Sequence, residues 1–249
     1  MLYIDTETYS ECELKKCGGY RYAQDPTTRV TLFGYAIDDA PAQVWDVTTG
    51  TPMPQDLSDA LDDDNHLVLA HNSMFDRPVI EHTLGIKLPM RRWRDSMVKA
   101  YTLGLPGSLA QLGQALGLSD DQAKMSDGHK LVMKFCKPAP TNHKAFKYDK
   151  TTHPSEWLRF IEYCGQDVEA MRTIWKLMPD INDLDHEMDL WHLDQEINDR
   201  GMPIDLETVA LAIQRVAVEK QQLTAELVSL TNGLLANSAA VTKLVNYLE

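Results

Sequence analysis

The sequence has little cysteine, no long apolar run and no excess of positive charge. Its four cysteines, Cys12, Cys17, Cys136 and Cys164, have no C-x-x-C spacing and no histidines set beside them as zinc ligands. That pattern argues against a structural zinc site and for reduced thiols. The first residues enter a strand-like pattern without a basic segment leading into an apolar one, and no stretch reaches the roughly 20 apolar residues that cross a bilayer. The expectation is a cytoplasmic protein with no membrane partner. No internal repeat or low-complexity tract is present. Lysine and arginine number 24 against 37 acids, a formal net charge of −13, which by itself speaks against a phosphate-rich partner.

The distribution of charge qualifies that exclusion. Acid concentrates in 56–64 and 180–196, whereas Lys124, Lys130, Lys134, Lys137, Lys144, Lys147 and Lys150 form a locally basic stretch opposed mainly by Asp127 and Asp149. It is read either as the path of a strand or as an ordinary solvated loop. Arg91, Arg92 and Arg94 around Trp93 offer cation and stacking groups of the kind used on single strands, with Trp93 equally placed as a core residue.

Of the 249 residues 43% are hydrophobic, enough for one sizeable domain, or for a domain plus a helical extension. Residues 1–7, 29–37 and 43–47 are rich in β-branched and aromatic side chains, and the last two are joined by Asp38-Asp39-Ala40-Pro41. This predicts an antiparallel meander. The run Leu67–Ala70 predicts another strand, with a short helix before it at 55–61. Helices are predicted over 74–84, 96–103, 109–116 with Ser108 as N-cap, 128–135, and 155–178, where Leu158, Ile161, Val168, Met171 and Trp175 recur at helical spacing. Residues 137–154 read as an exposed loop. A boundary near 179–184 separates an expected domain over 1–180 from a helical extension over 181–249, with helices at 185–199, 206–230 and from Ser238 to the end. That last helix is still running at Glu249, which predicts a fragment.

Three acidic segments carry the chemistry. In Tyr3-Ile4-Asp5-Thr6-Glu7 the i, i+2 spacing puts Asp5 and Glu7 on one face of a strand, either as a cation site or as a solvated strand end. In Ala70-His71-Asn72-Ser73-Met74-Phe75-Asp76 a strand gives way to a helix, and Asp76 falls near the first turn, where the helix dipole favours an acid. There Asn72 is a possible N-cap, and His71 reads as structural. In Tyr163-Cys164-Gly165-Gln166-Asp167 the i, i+4 spacing projects Tyr163 and Asp167 together, as site residues or as a contact on a solvated helix face.

In this order D-x-E, N-x-x-x-F-D and Y-x-x-x-D resemble the three exonuclease motifs of the DEDD superfamily, and the tyrosine resembles that of its DEDDy branch. The resemblance covers roughly 1–178. It implies an α/β fold, a ribonuclease H-like mixed sheet flanked by helices, and 3′-to-5′ hydrolysis of phosphodiesters assisted by two divalent cations, Mg²⁺ or Mn²⁺. Such hard cations prefer carboxylate oxygen and water, in keeping with the lack of a His or Cys ligand set. By resemblance, Asp5 bridges the two metals, Glu7 and Asp167 complete the site that activates water, and Asp76 holds the second metal largely through water. Tyr163 orients the attacking water, since a phenol is a poor base at neutral pH. Glu7 also touches the terminal 3′ hydroxyl. Thr6, Asn72 and Phe75 are the substrate-binding candidates, with packing as the alternative for Asn72 and Phe75.

The segment 197–205 followed by a long helix, together with Leu103–Leu109 and Lys134–Pro138, resembles bacteriophage-type family A DNA polymerases at the link between the exonuclease domain and the thumb. No palm or finger motif is present, so no polymerase activity is expected from this chain. The implied partners are the 3′ end of single-stranded DNA and a polymerase domain, in a bacterial or phage-infected host cell. A ribonuclease D-like RNA-trimming enzyme shares the motifs. A non-catalytic nucleic-acid-binding module is the alternative of another class, and it would be expected to have lost one of the four acids.

Overall fold

The computed structural model describes residues 1–118, 128–140, 146–181, 184–237 and 239–248. Lys124, Asp127, Lys144, Ser238 and Glu249, used in the sequence reading, lie outside them. The described residues fall into two compact units, Met1–Asp199 and Arg200–Glu249.

The first unit is built on a five-stranded mixed sheet in the order β3-β2-β1-β4-β5. β1 (Leu2–Tyr9), β2 (Arg29–Ile37) and β3 (Gln43–Asp46) form the expected antiparallel meander, while β4 (Val68–Ala70) and β5 (Trp93–Asp95) add in parallel beside β1. β1 is therefore the central strand, buried on both faces, which explains why Leu2, Ile4 and Tyr3 are all apolar or aromatic. Two short helices, α1 (Leu14–Cys17) and α2 (Gly19–Gln24), follow β1, and α3 (Gln55–Asp62) precedes β4. α4 (Ser73–Leu84), α5 (Ser96–Thr102), α6 (Leu109–Ala115), α7 (Gly128–Phe135) and α8 (Pro154–Leu177) complete the layers around the sheet, with α9 (Leu184–Arg200) after them. The second unit contains α10 (Leu206–Leu230) and α11 (Val241–Leu248). Among the described residues no helix is long and apolar enough to cross a membrane.

One glycine governs how closely α8 approaches the sheet. Gly34 pairs with Asp5 across β1 and β2, and a Cβ at that position would lie 2.9 Å from both Cys164 Sγ and Val168 Cγ2 and 3.2 Å from the Cys164 carbonyl. Overpacking of this kind costs about 1–3 kcal/mol. Gly34→Ala is thus expected to lower the melting temperature by several degrees and to move Asp167, one helical turn beyond Cys164, away from Asp5. An unchanged melting temperature would show that α8 gives way freely.

The connection near 179–184 joins two helices, and the first unit continues to Asp199. What ties α9 to that unit is Arg77, buried on α4, whose Nη1 and Nη2 donate to Asp199 at 2.6 and 2.8 Å while Tyr20 Oη donates to the same carboxylate at 2.7 Å. His192 also bonds the Trp93 carbonyl at 2.9 Å. Burial alone would raise the Asp199 pKa, but the Arg77 and Tyr20 hydrogen bonds outweigh it and hold the carboxyl below its ordinary value. Because the folded pKa is depressed, the stabilisation is present above the unfolded value near about 4 and is lost as pH falls through the lower folded value. Asp199→Asn is expected to cost about 2 kcal/mol at neutral pH, and its deficit relative to wild type should shrink below about pH 4. A deficit that is flat with pH would contradict this.

Ser108 occupies the N-cap position of α6 as expected, without a side-chain cap bond; its carbonyl accepts from Leu112 N. Asn72 likewise stands at the N-cap of α4 without a side-chain cap bond. One expectation is corrected. The basic segment around Trp93 forms a short turn leading into the edge strand β5: Trp93 is core, and Arg92, 2% exposed, donates to the carbonyls of His66, Leu61 and Ala60. Arg92 therefore satisfies buried backbone and is not available to a nucleic acid.

Candidate active site

Alternation along β1 directs Asp5 and Glu7 to the sheet face covered by α8, because Tyr3, on the same parity, packs against Val168 and Met171 of that helix. The segment 155–178 is a helix as the apolar spacing requires, and its Tyr163 and Asp167 are buried against the sheet, not on a solvated face. Tyr163 stacks on Phe160 at 6.3 Å between ring centroids and is hydrogen-bonded to Asp167. A Cβ on Gly128 would fall 2.2 Å from Tyr163 Cε2, so the glycine that opens α7 is what lets the ring lie there.

Asp76 enters from the other side of β1. It sits in the first turn of α4, is 3% exposed, and accepts a 2.5 Å hydrogen bond from Thr6 Oγ1, the residue between Asp5 and Glu7. The turn that aims it is unusual. Asn72 has φ 66°, a left-handed conformation that asparagine tolerates better than most residues. Asp95, at the end of β5, holds that turn: its carboxylate accepts from Asn72 N at 3.0 Å, Ser73 N at 2.8 Å and Ser73 Oγ at 2.9 Å, and it also caps α5 through Met97 N at 2.8 Å. Asp95 escaped the sequence reading although a strand-ending Asp before a helix is a readable N-cap signal. His71 is structural, bonding Ser96 Oγ and the Gly107 carbonyl, each at 2.8 Å. Phe75 is half-buried, tilted against Tyr22 at 5.7 Å, and lines the cleft beside it.

That cleft is a cavity of about 470 Å³ walled by Thr6, Glu7, Phe75, Cys12, Cys136 and Lys137, among others. Its electrostatics are those of crowded acids. Burial and the neighbouring Asp95 push the Asp76 carboxyl up to about 7 against the lowering effect of Thr6. Burial, then the charges of Asp167 and Glu7, push the Tyr163 hydroxyl far above the tyrosine range. Burial and Glu7 raise the Cys136 thiol, which donates to Glu7 Oε2 at 3.6 Å, and burial with Asp5 and Glu7 raises Cys164. Tyr163, Cys136 and Cys164 register the negative field of Asp5, Glu7 and Asp167, which a cation would relieve, whereas Asp76 answers to its own burial and Asp95.

The donor set fits a hard divalent ion. It offers carboxylate oxygens, while the raised thiols stay protonated and are poor ligands. Among the described residues no three His, Cys, Asp or Glu side chains already share a ligating point, as like charges keep apart without a cation between them. Asp5, Glu7, Asp76 and Asp167 are the residues that would hold such ions.

The geometry agrees with the comparisons. The family model described as the RNase H superfamily matches residues 2–179, a span that includes all four acids and Tyr163. A DNA polymerase of Bacillus phage SP02 is 37% identical over 251 residues, covering 100% of this chain, and the chain spans 38% of that relative's length. Among solved structures, one described as the apo form of the nuclease aligns over 78% of this chain and 79% of that one, at 16% identity and a TM-score of 0.50. Brucella melitensis NrnC with bound Mg²⁺ aligns over 78% and 79% at 15% identity and a TM-score of 0.48. With its mixed sheet, flanking helices and matching span, the chain belongs to the RNase H superfamily.

Proposed function

We propose that the chain is a metal-dependent 3′-to-5′ exonuclease that releases nucleotides from single-stranded DNA ends, as the proofreading part of a DNA polymerase. The observation that carries the reading is the placement of Asp5, Glu7, Tyr163 and Asp167 on one side of β1 with Asp76 tied to Thr6 beside them. Two divalent cations, Mg²⁺ or Mn²⁺, would polarise the phosphoryl oxygens and lower the pKa of the attacking water when bound. Tyr163, kept as a neutral phenol, orients that water by hydrogen bond and does not remove its proton. Thr6 holds Asp76 in place, Phe75 borders the cleft that receives the terminal nucleotide, and Asn72, at the turn that opens α4, is the remaining substrate-binding candidate. The likeness to a phage DNA polymerase supports DNA as substrate and a polymerase domain as partner. No synthesis is expected from this chain.

Matched DNA and RNA oligonucleotides, incubated with Mn²⁺ and with chelator, test this reading. Faster shortening of DNA and complete arrest by chelator are expected. Faster shortening of RNA would favour the ribonuclease D-like alternative, and intact oligonucleotides in every lane would leave only a binding module.

A further inference from the structure

We propose a second, anion-binding subsite in this unit, formed where the ends of β1 and β2 meet residues 147–151, that holds a backbone phosphodiester of the strand upstream of its reacting end. It rests on the nuclease reading above. A cavity of about 140 Å³ opens there, walled by Tyr9, Arg29, Thr31, Lys147, Lys150 and Trp157, among others. Tyr9 is 2% exposed and its hydroxyl is buried without a hydrogen-bond partner. Buried polar groups are normally satisfied, so a lone donor in a cavity wall marks a place for an acceptor. The Arg29 guanidinium lies 4.8 Å and the Lys147 ammonium 5.9 Å from the centre of the Tyr9 ring. Arg29, Lys147 and Lys150 form no ion pair among the described residues.

The acids nearby are turned elsewhere. Asp149 Oδ1 accepts from Thr151 N at 3.0 Å, Thr151 Oγ1 at 2.6 Å and Thr152 N at 3.0 Å. Asp46 accepts from Trp157 Nε1 at 2.9 Å and from Thr48 N at 3.0 Å. In a chain of net charge −13, three cations and a lone hydroxyl are thus gathered around a cavity where Asp149, which also walls it, is engaged by its own threonines and Glu11 lies near Tyr9 without an ion pair to the three cations among the described residues.

The position relates the pocket to the candidate active site. Tyr9 lies on the β1 face that carries Asp5 and Glu7, roughly 7 Å beyond Glu7 along the strand. The register between β1 and β2 shifts between Glu7 and Thr8, and at that irregularity Thr31 Oγ1 donates to the Glu7 carbonyl at 3.0 Å. One threonine therefore both walls the pocket and braces a candidate metal ligand. Cations, hydroxyls and a ring face read charge and not base sequence, which suits an enzyme that must accept any strand.

The test uses the full chain, Tyr9→Phe, and the double variant Arg29→Ala/Lys147→Ala. A labelled single-stranded DNA 12-mer is bound in chelator across a salt series, dinucleotide hydrolysis is followed with Mn²⁺, and inorganic phosphate binding is measured in parallel. For the double variant the 12-mer Kd is expected to weaken about tenfold and the log–log salt slope to fall by about 0.7 per lost contact. Tyr9→Phe should weaken 12-mer binding less, and dinucleotide turnover should stay unchanged throughout. An unchanged 12-mer Kd and slope overturns the proposal. So does an equal loss on the dinucleotide, which would mark a structural role, or a loss confined to inorganic phosphate, which would mark a free-anion site. If the wild-type chain cleaves no dinucleotide, the nuclease reading fails while the binding comparison still decides the subsite.

Discussion

Asp5→Ala is expected to lower the rate of DNA shortening by about a thousandfold or more, while the chain stays folded. Removing a carboxylate that would hold a divalent cation would forfeit several kcal/mol of charge stabilisation at the phosphoryl group, and about 4 kcal/mol corresponds to that factor. The fold should tolerate the change because Asp5 is only partly buried, whereas its neighbours Ile4 and Leu2 carry the core contacts. Rates under saturating metal, with the melting temperature as control, check the expectation. Activity within tenfold of wild type would remove Asp5 from the centre of the mechanism. The same loss accompanied by unfolding would be a stability effect, and Asp5→Asn, which keeps the shape, would then separate the two.

Tyr163→Phe is expected to lower kcat about a hundredfold with little change in KM. The substitution keeps the ring against Phe160 and Gly128 and deletes only the hydroxyl that bonds Asp167, so packing is preserved while the water loses its orienting partner. Because burial and the charges of Asp167 and Glu7 push the phenol up, not down, the wild-type pH–rate profile should show no tyrosine limb near pH 10. A limb there that vanishes in the phenylalanine variant would make Tyr163 a titrating base and contradict the orienting role.

The parts of this site that could be read from sequence are those set by local spacing. Asp5 and Glu7 share a face because a strand alternates, and Tyr163 and Asp167 share one because a helix turns every 3.6 residues. Neither rule depends on the rest of the chain, and the antiparallel meander and the long α8 were legible for the same reason. What escaped depends on tertiary contact. β5 is three residues long and contains an arginine, so no periodicity announces it, and Arg92 beside it looks like a phosphate-binding residue until the carbonyls of Ala60, Leu61 and His66 surround it. Asp95 is an ordinary helix cap in sequence. Its hold on Asn72 and Ser73 across 22 or more residues exists only once β4 and β5 lie side by side. The burial of Tyr163 and Asp167 required Gly34 and Gly128 to let α8 and α7 come close, and a glycine does not declare which helix will fill the space it leaves. α9 reads as an acidic extension, yet Asp199 meets an arginine 122 residues away.

The most direct test of the account is a time course on a 5′-labelled single-stranded DNA with Mg²⁺ or Mn²⁺, run beside the same reaction in chelator. A ladder that shortens one nucleotide at a time from the 3′ end, absent in chelator and absent for Asp5→Ala, is the predicted result. Immediate release of a labelled mononucleotide, internal cuts without a ladder, or undiminished cleavage in chelator would contradict a metal-dependent 3′-to-5′ exonuclease.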